Sequence, residues 1–191
     1  MDTPGGGFTP EQTVMTLEEY LDKGGEDWFL TGKKEYSIQG MMVSGETSFR
    51  NELEVTDYPV TDDGITVILK GRLDEMWTSK LQKVTDTYTK PDGSAVTEAD
   101  FVKKGQWIDL KTNAESRAYF AMHVPAGISV TAETAWGDIL HTNLPDAPHG
   151  DGDYLVCRAG EDGKPDFADI WVLNGVLFPV YYDMPGAAEK P

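Results

Sequence analysis

The chain carries one cysteine, three histidines and about half as many bases as acids: 16 Lys and Arg against 33 Asp and Glu in 191 residues. Each shortage excludes something. A lone cysteine, Cys157, cannot make an internal disulfide, so the fold must be held by its core and not by covalent staples. That usage suits a reducing compartment. No apolar run approaches the roughly 20 residues that a membrane-spanning helix needs. The stretch Met1 to Thr13 lacks the basic and apolar segments of a secretory leader, so a cytoplasmic location is expected. The deficit of bases gives a net charge of −17. Direct nucleic-acid binding and anionic membrane are therefore disfavoured, because both need clustered Lys and Arg. Catalytic signatures are lacking too: there is no Gly-x-Ser-x-Gly elbow, Walker loop or dinucleotide fingerprint.

The acid that is present is unevenly placed. Residues 1–69 carry a net −10, residues 70–131 a net +1 and residues 132–191 a net −8. Such outer thirds keep a protein soluble and complement a cationic partner surface.

The densest apolar and aromatic run lies between Gly152 and Asp183. Asp153 to Arg158 reads as a strand, followed by a polar turn from Ala159 to Pro165. Asp169–Leu173 and Val176–Tyr182 then flank Asn174-Gly175, a pair suited to the positive φ angles of a type I′ hairpin turn. The expectation is a three-stranded meander whose middle strand is covered on both faces, with Pro179 at an edge or bulge.

Upstream, Thr9-Pro10 could start a helix. Thr16-Leu-Glu-Glu19 is a capping box opening Leu17–Lys23, closed by Gly24-Gly25. Asp27–Thr31 and Tyr36–Val43 read as a hairpin around Gly32. Ser48–Val55 reads as a half-exposed strand interrupted on its apolar side by Asn51. Ile65–Leu69 reads as a buried strand. The spacing of Leu73, Met76, Trp77, Leu81 and Val84 favours a helix over 73–83, with a strand as its competitor. Val84–Thr89 reads as a strand turning at Lys90–Gly93, and Thr97-Glu-Ala-Asp100 opens a brief helix. Trp107–Leu110, Ala118–Val124 and Ile128–Thr134 read as strands. The fold class is mainly β, or α+β, with antiparallel sheets in a sandwich-like arrangement and two or three short helices. The chain divides into a flexible start (1–8), a β-rich subdomain (9–90), a second β subdomain (91–184) and a tail (185–191).

Three sets of residues could carry chemistry. The loop from His141 to Asp153 offers His141, His149, Asp151 and Asp153. Its oxygens suit Ca²⁺ or Mn²⁺, and its imidazoles pull toward Zn²⁺ or Fe²⁺. The spacing matches no EF-hand, HExxH or zinc-finger pattern, and a plain connecting loop reads the same way. No other cofactor is indicated. Cys157 sits inside a strand with no glycine elbow and no following helix, which reads as a core residue. Trp136 and Asp138, which flank Gly137 after a strand, and the turn acids Glu161 and Asp162 are the candidate interface residues.

Residues 118–140 (AYFAMHVPAGISVTAETAWGDIL), the strand GDYLVCRAG and the closing run DIWVLNGVLFPVYYD together resemble small uncharacterised β-rich proteins of phages, prophages and gut bacteria. The resemblance covers residues 118–184 and implies a sheet-rich fold, with no activity to carry over. Where those proteins end their last strand in Thr-Tyr, this chain has Tyr181-Tyr182. The functional expectation is a non-enzymatic acidic module that binds a basic protein surface, including the variant in which its acid mimics nucleic acid. The alternatives are a metal- or small-ligand-binding β domain, or a hydrolase, using the His141–Asp153 loop, and a structural or assembly component.

Overall fold

Two large sheets, each covered on both faces, organise the fold. The computed structural model describes residues 12–23, 27–112 and 119–185. In chain order its elements are β1 (Thr13–Thr16), α1 (Leu17–Asp22), β2 (Phe29–Thr31), β3 (Ser37–Met41), β4 (Thr47–Asn51), β5 (Thr56–Val60), β6 (Thr66–Lys70) and β7 (Met76–Lys80). There follow α2 (Leu81–Thr87), β8 (Tyr88–Thr89), a 3-10 turn (Glu98–Phe101), β9 (Ile108–Thr112), β10 (Tyr119–His123), β11 (Ile128–Glu133), β12 (Ile139–His141), β13 (Tyr154–Ala159), β14 (Pro165–Leu173) and α3 (Phe178–Tyr181). The fold is mainly β, as its alternating sequence requires. Every strand pair is antiparallel except β1 with β11, which run parallel.

The first large sheet has the order β7-β6-β3-β9-β8. One face presents Ile38, Val67, Leu69 and Leu110 to Val84 of α2 and to Phe101. The other presents Ile68 to Val60 and Phe49 of the β4–β5 hairpin. The second large sheet has the order β14-β13-β10-β2. One of its faces, with Met122, Leu155, Cys157 and Ile170, packs on Met15, Val130 and Ala132 of the small sheet β1-β11-β12. This is the sandwich. Its other face, with Tyr119, Ala121, Tyr154 and Val156, packs on Phe178, Tyr181 and Tyr182. Sheet membership crosses position 90 in both directions: β9 lies between β3 and β8, and β2 lies beside β10.

Local signals are obeyed. Thr16 and Glu19 form the reciprocal capping box of α1, and Thr97 with Asp100 form that of the 3-10 turn. Strands β6, β10 and β11 lie within or beside the segments Ile65–Leu69, Ala118–Val124 and Ile128–Thr134 read as strands. The helix start at Thr9-Pro10, the Gly24-Gly25 stop, the flexible start and the tail beyond Pro185 fall outside the described residues.

Four expectations are corrected. Asn174-Gly175 makes no hairpin. The chain turns there into one helical turn, α3, with Pro179 inside its first turn, where a missing N–H costs nothing. Phe178, Tyr181 and Tyr182 thereby reach the core on one helix face. Consequently β14 is the edge of its sheet and not its middle. Residues 73–87 are inverted: β7 occupies Met76–Lys80 because it pairs with β6 from Lys70↔Met76 to Thr66↔Lys80, and the helix begins only at Leu81. The segments around Gly32 form no hairpin, since β2 pairs with β10 while β3 pairs with β6 and β9. The strand expected through Val55 ends at Asn51. That side chain is buried, accepts from the N–H groups of Leu53 and Glu54, and donates to the carbonyl of Met76.

Candidate binding surface

The loop between β12 and β13 is tied down by a reciprocal bracket. Asn143, fully buried with φ of 55°, donates its backbone N–H to Asp153 Oδ2 at 2.7 Å, and its Oδ1 accepts the Asp153 N–H at 2.7 Å. Asn143 Nδ2 donates to the carbonyls of Val124, Pro125 and Ile128. Asp153 Oδ1 accepts from Gly175 N at 2.8 Å. Burial pushes the Asp153 carboxyl above its ordinary range, against the pull of those N–H donors and of His149 and His123.

Asp153 is thus committed to backbone donors on both oxygens. Asp151 is exposed, and its carbonyl accepts from Ala126 N. His149 Nδ1 lies 2.9 Å from the Ala147 carbonyl. His141 lies across from Thr131 on β11, its Nδ1 3.1 Å from Thr131 Oγ1. Among the described residues no three His, Cys, Asp or Glu side chains gather closely enough to hold a metal ion. Cys157 is fully buried, and burial pushes its thiol up to about 12.

A second buried polar knot joins the two large sheets. Tyr181 donates its hydroxyl to Glu75 Oε1, and that hydroxyl accepts from Arg72 N at 2.9 Å. Glu75 Oε2 accepts from Leu73 N. Beside the knot lies an open hollow of about 380 Å³ lined by Glu35, Tyr36, Ser37 and Arg72. It exists because the β3–β6 ladder stops at Gln39↔Lys70. The chain then turns away at Gly71, before Arg72 can sit opposite Ser37.

Among the described residues, the small sheet and its β11–β12 turn leave large apolar side chains exposed. Alternation puts Met15, Val130 and Ala132 inward, and Val14, Thr131, Glu133, Ile139 and His141 outward. Val14 is 67% exposed, Ile139 62% and Trp136 60%. Trp136 sits on the tight turn from Thr134 to Asp138. Thr134 N and Oγ1 both donate to the Asp138 carbonyl, and Asp138 N donates back to Thr134 Oγ1. Trp136 Nε1 donates to Asp138 Oδ2 at 2.8 Å. The segments that build and flank this sheet, residues 12–22 and 128–153, contain eight carboxylates and no Lys or Arg. Glu161 and Asp162 stand apart from it, exposed on the β13–β14 turn, where Asp162 Oδ1 accepts from Lys164 N.

Comparison with protein-family models, with curated proteins and with solved structures returns no match. Of the residues that matter here, Trp136 and Asp138 were legible in the sequence. Asn143, Glu75, Arg72 and the inward Tyr181 were not. The helical spacing of Phe178, Tyr181 and Tyr182 behind Pro179 was the one signal that could have revealed the last.

Proposed function

We propose that this chain is a non-enzymatic binding module that engages a protein with a basic surface. The observation that supports the reading is the small sheet with its β11–β12 turn: Val14 and Ile139 on the outward face and Trp136 on the turn stand in the open, on segments that hold eight carboxylates, of which Asp153 alone is buried, and no Lys or Arg. Isolated exposed apolar residues are ordinary on any surface. Here they belong to one small sheet and its connecting turn, whose segments carry a single sign of charge. Apolar contact would then supply affinity and the carboxylates would supply steering and choice of partner. A partner that normally grips nucleic acid would meet this requirement, with the carboxylates standing where phosphates would.

The test presents the immobilised protein with purified basic and acidic proteins at roughly 0.05 M and 0.5 M salt, conditions that shorten the screening length about threefold. Basic proteins should be retained at low salt and released or weakened at high salt. Equal retention of acidic proteins, or retention indifferent to salt, would count against it.

A further inference from the structure

Resting on that basic-partner reading, we propose that the turn Thr134 to Asp138 is an arginine-recognition site, in which a partner's guanidinium lies on the open face of Trp136. Three observations converge on it.

The indole is fixed before anything binds. Its only polar atom is engaged by Asp138 Oδ2, and the turn beneath is cross-bonded between Thr134 and Asp138 and bent at Gly137, whose φ is 94°. A large side chain that is exposed yet already held loses little freedom on binding, which is what an anchor residue requires. With the N–H engaged internally, the ring offers a partner its π face and not a hydrogen bond.

Next, among the described residues no Lys or Arg stands over this ring. Elsewhere the chain covers aromatic faces itself: Lys70 Nζ stands 4.6 Å from the centre of Trp107, and Lys33 Nζ stands 5.5 Å from the centre of Tyr119. No Lys or Arg occurs anywhere between residues 118 and 157. Trp136 therefore presents a cation-binding face that no cation from its own segment supplies.

The third observation is the neighbourhood. Asp138 brings a carboxylate to the indole's edge, and Glu133 pairs directly with Ile139 on the outward face of the sheet. A guanidinium is flat, weakly hydrated and able to stack and pair at once, so it fits a ring with a carboxylate at its edge better than a compact ammonium does. Ile139, in the open, would cover the arginine's methylene stem.

The experiment follows indole N–H resonances while the intact protein is titrated with the peptide acetyl-Gly-Arg-Gly-Arg-Gly-amide and with its lysine and glutamine counterparts. The Trp136 resonance is identified by its loss in W136F. The arginine peptide should move that resonance saturably, the lysine peptide less, and the glutamine peptide not at all. W136L, which keeps an apolar side chain but removes the π face, should weaken the arginine peptide by about 2- to 30-fold, and W136F should weaken it less. If amides of the acidic segments shift while the Trp136 indole stays still, or if W136L binds as tightly as the unaltered protein, the arginine site is refuted and the basic-partner reading stands. If nothing shifts with any peptide, both fall.

Discussion

Replacing Asn143 with alanine should be among the most damaging single changes outside the apolar core. Its cost can be followed atom by atom. The substitution removes the only acceptor shown for the buried Asp153 N–H and the Nδ2 donor shared by three carbonyls. Two of those carbonyls keep a partner, since Pro125 O still accepts from Ile128 N and Ile128 O from Thr142 Oγ1. Val124 O and the Asp153 N–H are left with none. A buried group stripped of its partner costs about 1–3 kcal/mol. The φ of 55° then adds about 1 kcal/mol, because alanine tolerates the left-handed region less well than asparagine does. The total for the two groups and the backbone is about 3–7 kcal/mol, or a fall in Tm of about 6–28 °C for a chain of this size. Urea and thermal unfolding followed by circular dichroism measure it. N143G should recover about 1 kcal/mol by relieving the backbone. N143D should be worse than N143A, because it points a carboxylate oxygen at the same carbonyls. A loss below about 1 kcal/mol for N143A, or N143D no worse than N143A, would refute the claim that this side chain's hydrogen bonds hold the loop.

Y181F keeps the ring contact with Tyr36 but deprives the buried Glu75 carboxylate of a donor and Arg72 N of its acceptor. It should cost about 2–4 kcal/mol in urea unfolding, and a change within about 0.5 kcal/mol would show the knot to be dispensable. W136L, on an exposed turn, should leave stability within about 0.5 kcal/mol, so any loss of binding it causes is not loss of fold. Lys104 first, then Gly45 N, holds Asp62 below its ordinary 3.8; the N–H of Ile65 and the hydroxyl of Thr66 do the same for Asp63. Their stabilisation is present above that ordinary value and is lost as pH falls through their lower folded values. Asp153 has the opposite sign: burial raises it, so its contribution is present at low pH and lost as pH rises through its folded value. Together with relief of self-repulsion in a chain of net charge −17, Tm should hold or rise from about pH 7.5 to about pH 5 and fall below about pH 4. A steady fall across the upper interval would contradict this. Cys157, with its thiol pushed up to about 12, should resist alkylation at neutral pH until the protein is unfolded. Rapid modification of the native protein would show that the sandwich core opens.

The sequence by itself determined whatever depends on neighbours a few residues apart. The two capping boxes formed because a Thr and a carboxylate three positions later can satisfy each other's backbone within one turn. The run Ile128 to Thr134 read as a strand and forms one over Ile128–Glu133, and the turn at Gly137 leaves Trp136 in the open. The long-range structure decided the rest. Asn174-Gly175 had every local feature of a hairpin turn, yet Asn174 Nδ2 donates to the carbonyls of Leu53 and Pro148, and Gly175 N donates to Asp153. Gly175 also packs so tightly that a Cβ there would lie 2.0 Å from the Gly152 carbonyl oxygen. Partners 22 to 121 positions away outbid a turn preference worth little on its own. The same competition made Met76–Lys80 a strand against its helical spacing, because the ladder with β6 satisfied backbone groups that an isolated short helix would have left to water. Local sequence could propose each segment's conformation, but only the packed fold, through partners distant in the chain, could choose among the proposals.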